Sequence, residues 1–171
     1  MADTGTTPRY GILSEEMEGE REQLIEMLTR AYWMEIETVM SYVTNSINPD
    51  GVRAQEIVES LEEDVQEELG HARQFGERIK TLYGVVPGSL DFNAEQSYLQ
   101  PPDQQTDIVH VIKGVIEAES GAIQHYNQIL EFCEGKDPVT QDMVIDILRD
   151  EEGHRRLFEG YLREYEAEGL A

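Results

Sequence analysis

Two of the four histidines in this chain stand three residues after a glutamate, in Glu68-Leu69-Gly70-His71 and Glu151-Glu152-Gly153-His154. On a helix, that spacing puts both side chains on one face about one turn apart, so a carboxylate and an imidazole can reach one cation. Two further glutamates interrupt apolar helical faces: Glu35 lies between Tyr32 and Val39, and Glu119 between Val115 and Ala122. Each is followed seven residues later by a tyrosine, Tyr42 and Tyr126. The two Glu–Tyr pairs are offset by 84 residues and the two Glu-x-x-His pairs by 83. The chain thus reads as two similar hairpins, each supplying Glu, Tyr, Glu and His in the same order. A pseudo-two-fold axis between the hairpins would gather all eight side chains. An ionised carboxylate in a bundle core is costly unless paired or metal-bound, and four would repel one another. A pair of divalent cations resolves that conflict, and oxygen and imidazole donors suit iron or manganese better than soft-metal chemistry.

Helical periodicity supplies the elements that must position these residues. Four helices are expected, over about Ser14 to Ser46, Val52 to Leu82, Asp107 to Phe132, and Pro138 to Glu166. Ser14 reads as the N-cap of the first, with Glu15 and Glu16 at the positive end of its dipole. Asn48-Pro49-Asp50-Gly51 reads as a turn, Gly84 as the stop of the second helix, and Asp137-Pro138 as cap and first residue of the fourth. Short links make each helix pair an antiparallel hairpin, whereas Tyr83 to Thr106 is long enough to cross the length of a bundle. The fold class expected is all-α: a four-helix bundle over 14–167, two antiparallel hairpins joined by a long crossover, with tails at 1–13 and 168–171.

The 171 residues suit one domain. With 36 acidic residues against 13 basic ones the net charge is −23. Nucleic-acid binding is not expected, because phosphate recognition needs clustered Arg and Lys. The acid excess matches proteins that stay soluble in high salt, and it also draws metal cations by long-range attraction. No apolar run is long enough to span a membrane. The polar start, Met1 to Gly11, lacks the apolar core of a secretory leader, and the single Cys133 has no internal disulfide partner. Together these suggest a cytoplasmic protein. Glu37, Glu67, Glu117 and Glu152 neighbour the candidate ligands but point elsewhere on a helical wheel, so they are expected to be solvated or interface acids. His110 and His125 lack symmetric partners and are expected at a surface or interface. Trp33, Met34 and Met40 form a second apolar stripe, expected to contact another subunit.

The eight residues resemble the di-iron carboxylate motif of the ferritin-like superfamily, which takes one Glu from each of two helices and Glu-x-x-His from each of the other two. The run from Asp142 to His154 is similar to the fourth helix of bacterioferritins. Glu117 to Ile123, with Gly135-Lys136-Asp137-Pro138, is closer to archaeal Dps-like ferritins. The resemblance covers about Leu24 to Tyr165 and implies a role for each residue. Glu68 and Glu151 would bridge two irons, Glu35 and Glu119 would be terminal ligands, and His71 and His154 would each bind one iron. Tyr42 and Tyr126 would hold the carboxylates in place. It further implies a ferroxidase with two irons per chain, oxidising Fe(II) with O2 or H2O2 and storing ferric mineral in a shell of identical chains. Without a fifth helix, twelve chains are expected rather than twenty-four. The haem-ligating Met of bacterioferritins is replaced by Leu69, so no haem is expected. Gly121 and the lone Cys133 leave out the cysteine pair of some Dps-like relatives. The alternatives are a non-storage di-iron or di-manganese peroxidase or catalase-like enzyme, and a non-catalytic metal-binding scaffold.

Overall fold

The computed structural model describes residues 9–171; the first eight residues of the expected N-terminal tail lie outside the described residues. Four α-helices form the bundle: α1 Glu18–Ile47, α2 Gln55–Thr81, α3 Ile108–Cys133 and α4 Pro138–Ala167. Helix α1 packs mainly on α2, and α3 on α4, giving two hairpins that meet chiefly through α1 and α3. No strand occurs among the described residues, and none of their helices is long and apolar enough to cross a membrane.

Each helix carries its apolar face through both of two core layers. Leu24, Leu28, Phe75, Ile79, Ile129, Val144 and Ile147 fill one end. Tyr42, Ile57, Leu61, Ile112, Val115 and Phe158 fill the other. The interrupting acids fall between these layers, at mid-height.

Helix ends follow the local chemistry with two exceptions. Asp107 accepts a hydrogen bond from the His110 amide, and Asp137 from the Val139 and Thr140 amides, with Pro138 opening α4. Ser14, expected to cap α1, makes no side-chain cap. Gly11–Leu13 and Glu15–Met17 are 3-10 turns instead, and α1 begins at Glu18. The cause is Arg21, whose guanidinium donates to the carbonyls of Ile12 and Ser14 and folds this entry segment over the bundle end, where Ile12 is buried. At the far end of α2 the left-handed residue is Tyr83 (φ 67°), not Gly84. The Tyr83 and Gly84 amides return to the carbonyls of Lys80 and Ile79, closing a Schellman-type cap. Gly84 is needed for space, because a Cβ there would lie 2.9 Å from the Ile79 side chain.

The crossover runs from Leu82 to Asp107 and is bonded firmly to the bundle. Its Leu99 enters the second core layer, and the Leu99 carbonyl accepts from Asn45. It passes so close to α3 that a Cβ on Gly114 would sit 2.6 Å from the Tyr98 carbonyl. Glu37, expected to be a solvated or interface acid, is buried within the chain and accepts hydrogen bonds from the Glu95 and Gln96 amides. The expected interface stripe is also changed by the crossover: Trp33 packs on Phe92, with ring centroids 5.3 Å apart, and Met34 packs on the first core layer. Of that stripe, Met40 remains exposed.

Candidate metal centre

Between the two core layers all four helices direct carboxylates inward. Glu35, Glu68, Glu119 and Glu151 are each no more than 2% exposed. They form two overlapping donor sets: Glu35, Glu68, His71 and Glu151 on one side, and Glu68, Glu119, Glu151 and His154 on the other. Within each set the candidate ligand atoms lie within 4.8 Å of one another. Glu68 and Glu151 belong to both.

The tyrosines tie the hairpins together reciprocally. Tyr42 on α1 donates its hydroxyl to Glu119 on α3, and Tyr126 on α3 donates to Glu35 on α1. Both rings are fully buried. Burial and the neighbouring carboxylate charges hold both phenols well above their ordinary pKa, so they remain donors.

The histidines direct Nδ1 inward. His71 Nδ1 lies 3.3 Å from Glu68 and 3.2 Å from Glu151; His154 Nδ1 lies 3.4 Å from Glu68 and 3.9 Å from Glu151. Their outer nitrogens meet acids of the opposite hairpin. His71 Nε2 is 3.3 Å from Asp150, and His154 Nε2 is 2.9 Å from Glu67. An acid at Nε2 favours a proton there and leaves Nδ1 facing the carboxylates, the arrangement common around metal-ligating histidine.

Without a metal the cluster takes up protons. Burial would depress His71 and His154, but the adjacent Glu68 carboxylate and the surrounding acidic charges push them up to about 9 and about 10. Glu119 is raised to about 7, mainly by burial and then by the charge of Glu68. Glu35 and Glu151 are raised well above the usual carboxylate range by burial and by their acidic neighbours. Glu68 is the exception: burial opposes its ionisation, yet the imidazoles of His154 and His71, at 3.4 and 3.3 Å, hold it at about 2. It is thus the carboxylate ionised first, between two imidazoliums.

The donor set fits a pair of cations on the structure's own terms. Glu68 Oε1, Glu151 Oε1 and His154 Nδ1 are enclosed and make no hydrogen bond. Leaving such atoms unpaired costs about 1–3 kcal/mol each. A void of about 10 Å³ lies among Glu35, Glu68, Glu119 and Glu151, bounded outside by Met34 and Gln96. Those two residues also line a groove of about 720 Å³ on the outer side of α1 and α3, with Glu26, Glu37, Asp91 and Glu95 among its walls.

Some of these contacts differ from sequence expectation. Glu67 is partly solvated, as its helical-wheel position implies, but its carboxylate engages His154. Asp150, its mate at the same 83-residue offset, engages His71. That offset was the available signal for both. His125 is buried rather than superficial, with Nε2 2.9 Å from the Met27 carbonyl, whereas His110 is exposed. Glu117 and Glu152 are exposed as expected.

A bundle of two hairpins with carboxylate and histidine donors from all four helices defines a class, and the chain belongs to the ferritin-like domain family, whose match spans residues 25–167. It is 31% identical over 146 residues to the DNA protection during starvation protein of Pyrococcus furiosus, covering 82% of this chain and 77% of that protein. It is 26% identical over 148 residues to the bacterioferritin of Desulfovibrio desulfuricans, covering 84% and 78%. Among solved structures it resembles the dodecameric thioferritin of Bacteroides fragilis, a bacterioferritin-related protein, with a TM-score of 0.75 and 25% identity over 87% of this chain and 89% of that one. The D. desulfuricans bacterioferritin structure shares the fold with a TM-score of 0.75 at 22% identity, covering 88% and 84%.

Proposed function

We propose that this protein is a ferroxidase that takes up two Fe(II) per chain as substrate, oxidises them with O2 or H2O2, and stores the ferric product inside a shell of identical chains. The observation that carries this reading is the pair of donor sets sharing Glu68 and Glu151. In this reading Glu68 and Glu151 bridge, Glu35 and His71 complete one position, and Glu119 and His154 complete the other. Four carboxylates and two neutral imidazoles balance the charge of two divalent ions, so Fe(II) replaces protons that the cluster otherwise holds. Tyr42 and Tyr126 each hold one oxygen of Glu119 and Glu35, leaving the other to face the metal.

Each Fe(II) gives up one electron. O2 accepts the two electrons with two protons and leaves as H2O2; if H2O2 is the oxidant, the same electrons and protons yield two waters. The ferric pair carries two positive charges more than the carboxylates cancel, which favours its departure as hydrated oxide. The acidic groove outside Met34 and Gln96 offers Fe(II) a route inward.

The similarity to the dodecameric thioferritin supports a shell of twelve, as do exposed apolar side chains on the crossover and at the bundle end, Val85, Leu90, Ile47 and Val52. Leu69, where bacterioferritins place a haem ligand, offers no donor, so the proposal includes no haem. The acidic surface leaves DNA little to hold, and no gel shift is expected at moderate salt without divalent metal.

The test is anaerobic Fe(II) titration of the metal-free protein, followed by O2 or H2O2 in parallel. About two Fe(II) per chain and rapid oxidation are expected. Undiminished binding in the double variant His71→Ala, His154→Ala would overturn the centre. Light scattering after size exclusion in molar salt tests the shell, and a mass of one or two chains would refute it.

A further inference from the structure

The acids that face the two histidines are paired by the repeat, except at Asp64. Glu67 and Asp150 are mates at the 83-residue offset, and each engages the histidine of the opposite hairpin. By the same offset, the mate of Asp64 is Ile147, an apolar residue of the core. Asp64 is nevertheless 6% exposed. Its Oδ1 lies 3.6 Å from His154 Nε2, and its Oδ2 makes no hydrogen bond. A buried carboxylate without hydrogen-bonding partners costs stability and has no counterpart dictated by the repeat. His154 therefore faces two acids at its outer nitrogen, and His71 faces one.

We propose that Asp64 is a positioning residue that makes the two metal positions unequal, so that the cation beside His154 and Glu119 binds more tightly than the cation beside His71 and Glu35. This rests on the di-metal reading above. The mechanism is additive. A carboxylate at the distal nitrogen orients the imidazole and makes its other nitrogen a better donor. The buried negative charge also attracts the cation directly, with little solvent to screen it. Glu67 and Asp150 are each about half exposed, at 56% and 50% of their side chains, so their contributions nearly cancel in the comparison. The difference falls on Asp64.

The test uses Co(II) as probe, titrated anaerobically into the metal-free full chain and followed by visible absorption. His71→Ala leaves the His154 position intact, and His154→Ala leaves the His71 position intact. Co(II) is expected to bind about tenfold more tightly to His71→Ala than to His154→Ala, the lower end of the effect of outer partners on metal affinity. Adding Asp64→Asn to His71→Ala should erase that advantage, whereas adding it to His154→Ala should leave affinity unchanged. Asp64→Glu in the His71→Ala background should restore the advantage. Equal affinities of the two single histidine variants overturn the proposal without any change at Asp64. An Asp64→Asn variant that lowers the metal-free melting temperature but leaves the difference intact overturns it too, assigning Asp64 a purely structural role. If neither histidine variant loses one Co(II) per chain, the di-metal reading itself fails.

Discussion

Arg78 and His71 lie on the same helix about 10 Å apart, and each faces buried acids, but the two clusters differ in what neutralises them. Arg78 donates through Nη2 to both oxygens of Asp137, at 2.8 and 2.7 Å, and through Nε to Thr140 at 2.8 Å. Asp137 also caps α4. Its carboxyl is held below the ordinary range: burial opposes ionisation, but hydrogen bonds from Arg78 and Thr140 outweigh it. This cluster carries its own cation and is complete once the chain folds. The mid-bundle centre has four carboxylates and no fixed cation among them, only two histidines whose charge depends on protons. A fixed guanidinium joins α2 to α4 permanently, whereas exchangeable charges leave a place that a metal can take.

The comparison is broken most forcefully at Arg78. Arg78→Ala leaves Asp137 buried and unpaired, at an expected cost of about 3–5 kcal/mol in urea unfolding, with or without metal. A loss under about 1 kcal/mol would make the pair incidental.

At the candidate metal centre the same kind of truncation should act oppositely on stability when the residue lost is Glu151. Glu68→Ala or Glu151→Ala should slow Fe(II) oxidation by about 100-fold or more, since lost outer partners alone cost about 10–100-fold. The metal-free melting temperature should hold or rise in Glu151→Ala, because one crowded acid is gone, and fall in Glu68→Ala, which leaves two buried imidazoliums without their shared carboxylate. Stopped-flow oxidation beside circular dichroism reads both, and a variant oxidising at the parental rate would remove Glu68 or Glu151 from the centre.

The pH dependence sharpens the contrast. His71 and His154 have folded values of about 9 and about 10, above their ordinary 6.5. Their contribution is fully present below pH 6.5 and is lost as pH rises through 9 to 10. The raised carboxyls act in the same direction, with stability lost as pH rises from 4.5 through about 7 for Glu119. Glu68 acts in reverse, only below 4.5. The metal-free protein should therefore melt at progressively lower temperature from about pH 5 to about pH 10, while the stabilisation added by metal grows over that range. The depressed Asp137 loses its contribution only in acid, below its ordinary 3.8, so the Arg78 cluster should add no slope in this window. A metal-free melting temperature that rises from pH 5 to 10 would contradict this charge assignment.

The smallest effect is expected at the tyrosines. Tyr42→Phe or Tyr126→Phe removes one hydrogen bond to a carboxylate that stays buried, for a loss of about 1–2 kcal/mol in metal-free stability and about tenfold in oxidation rate. Equal losses in the two variants would support a symmetric hairpin pair at this level, and unequal losses would extend the asymmetry inferred for Asp64.

Much of the molecule was legible in the sequence because it is local or repetitive. Helix periodicity is a property of neighbouring residues, and the caps at Asp107 and Asp137 act within one turn of their own helices. The six candidate ligands and two tyrosines stood out through two offsets, 83 and 84, that a single chain displays on its face. Other features depended on which segments meet in space. Glu37 and Glu67 occupy equally unremarkable wheel positions, yet one is buried under the crossover amides of Glu95 and Gln96 and the other engages His154 across the hairpins. Trp33 and Met34 read as an uncovered stripe until the crossover laid Phe92 upon Trp33. Ser14 lost its cap to an arginine seven residues on. Asp64, off the repeat, gave no periodic signal, and its nearness to His154 follows from the packing of α2 against α4. Local sequence determines what a helix can bury, whereas which long-range partner reaches each buried polar atom is decided only when the hairpins and crossover close around the centre.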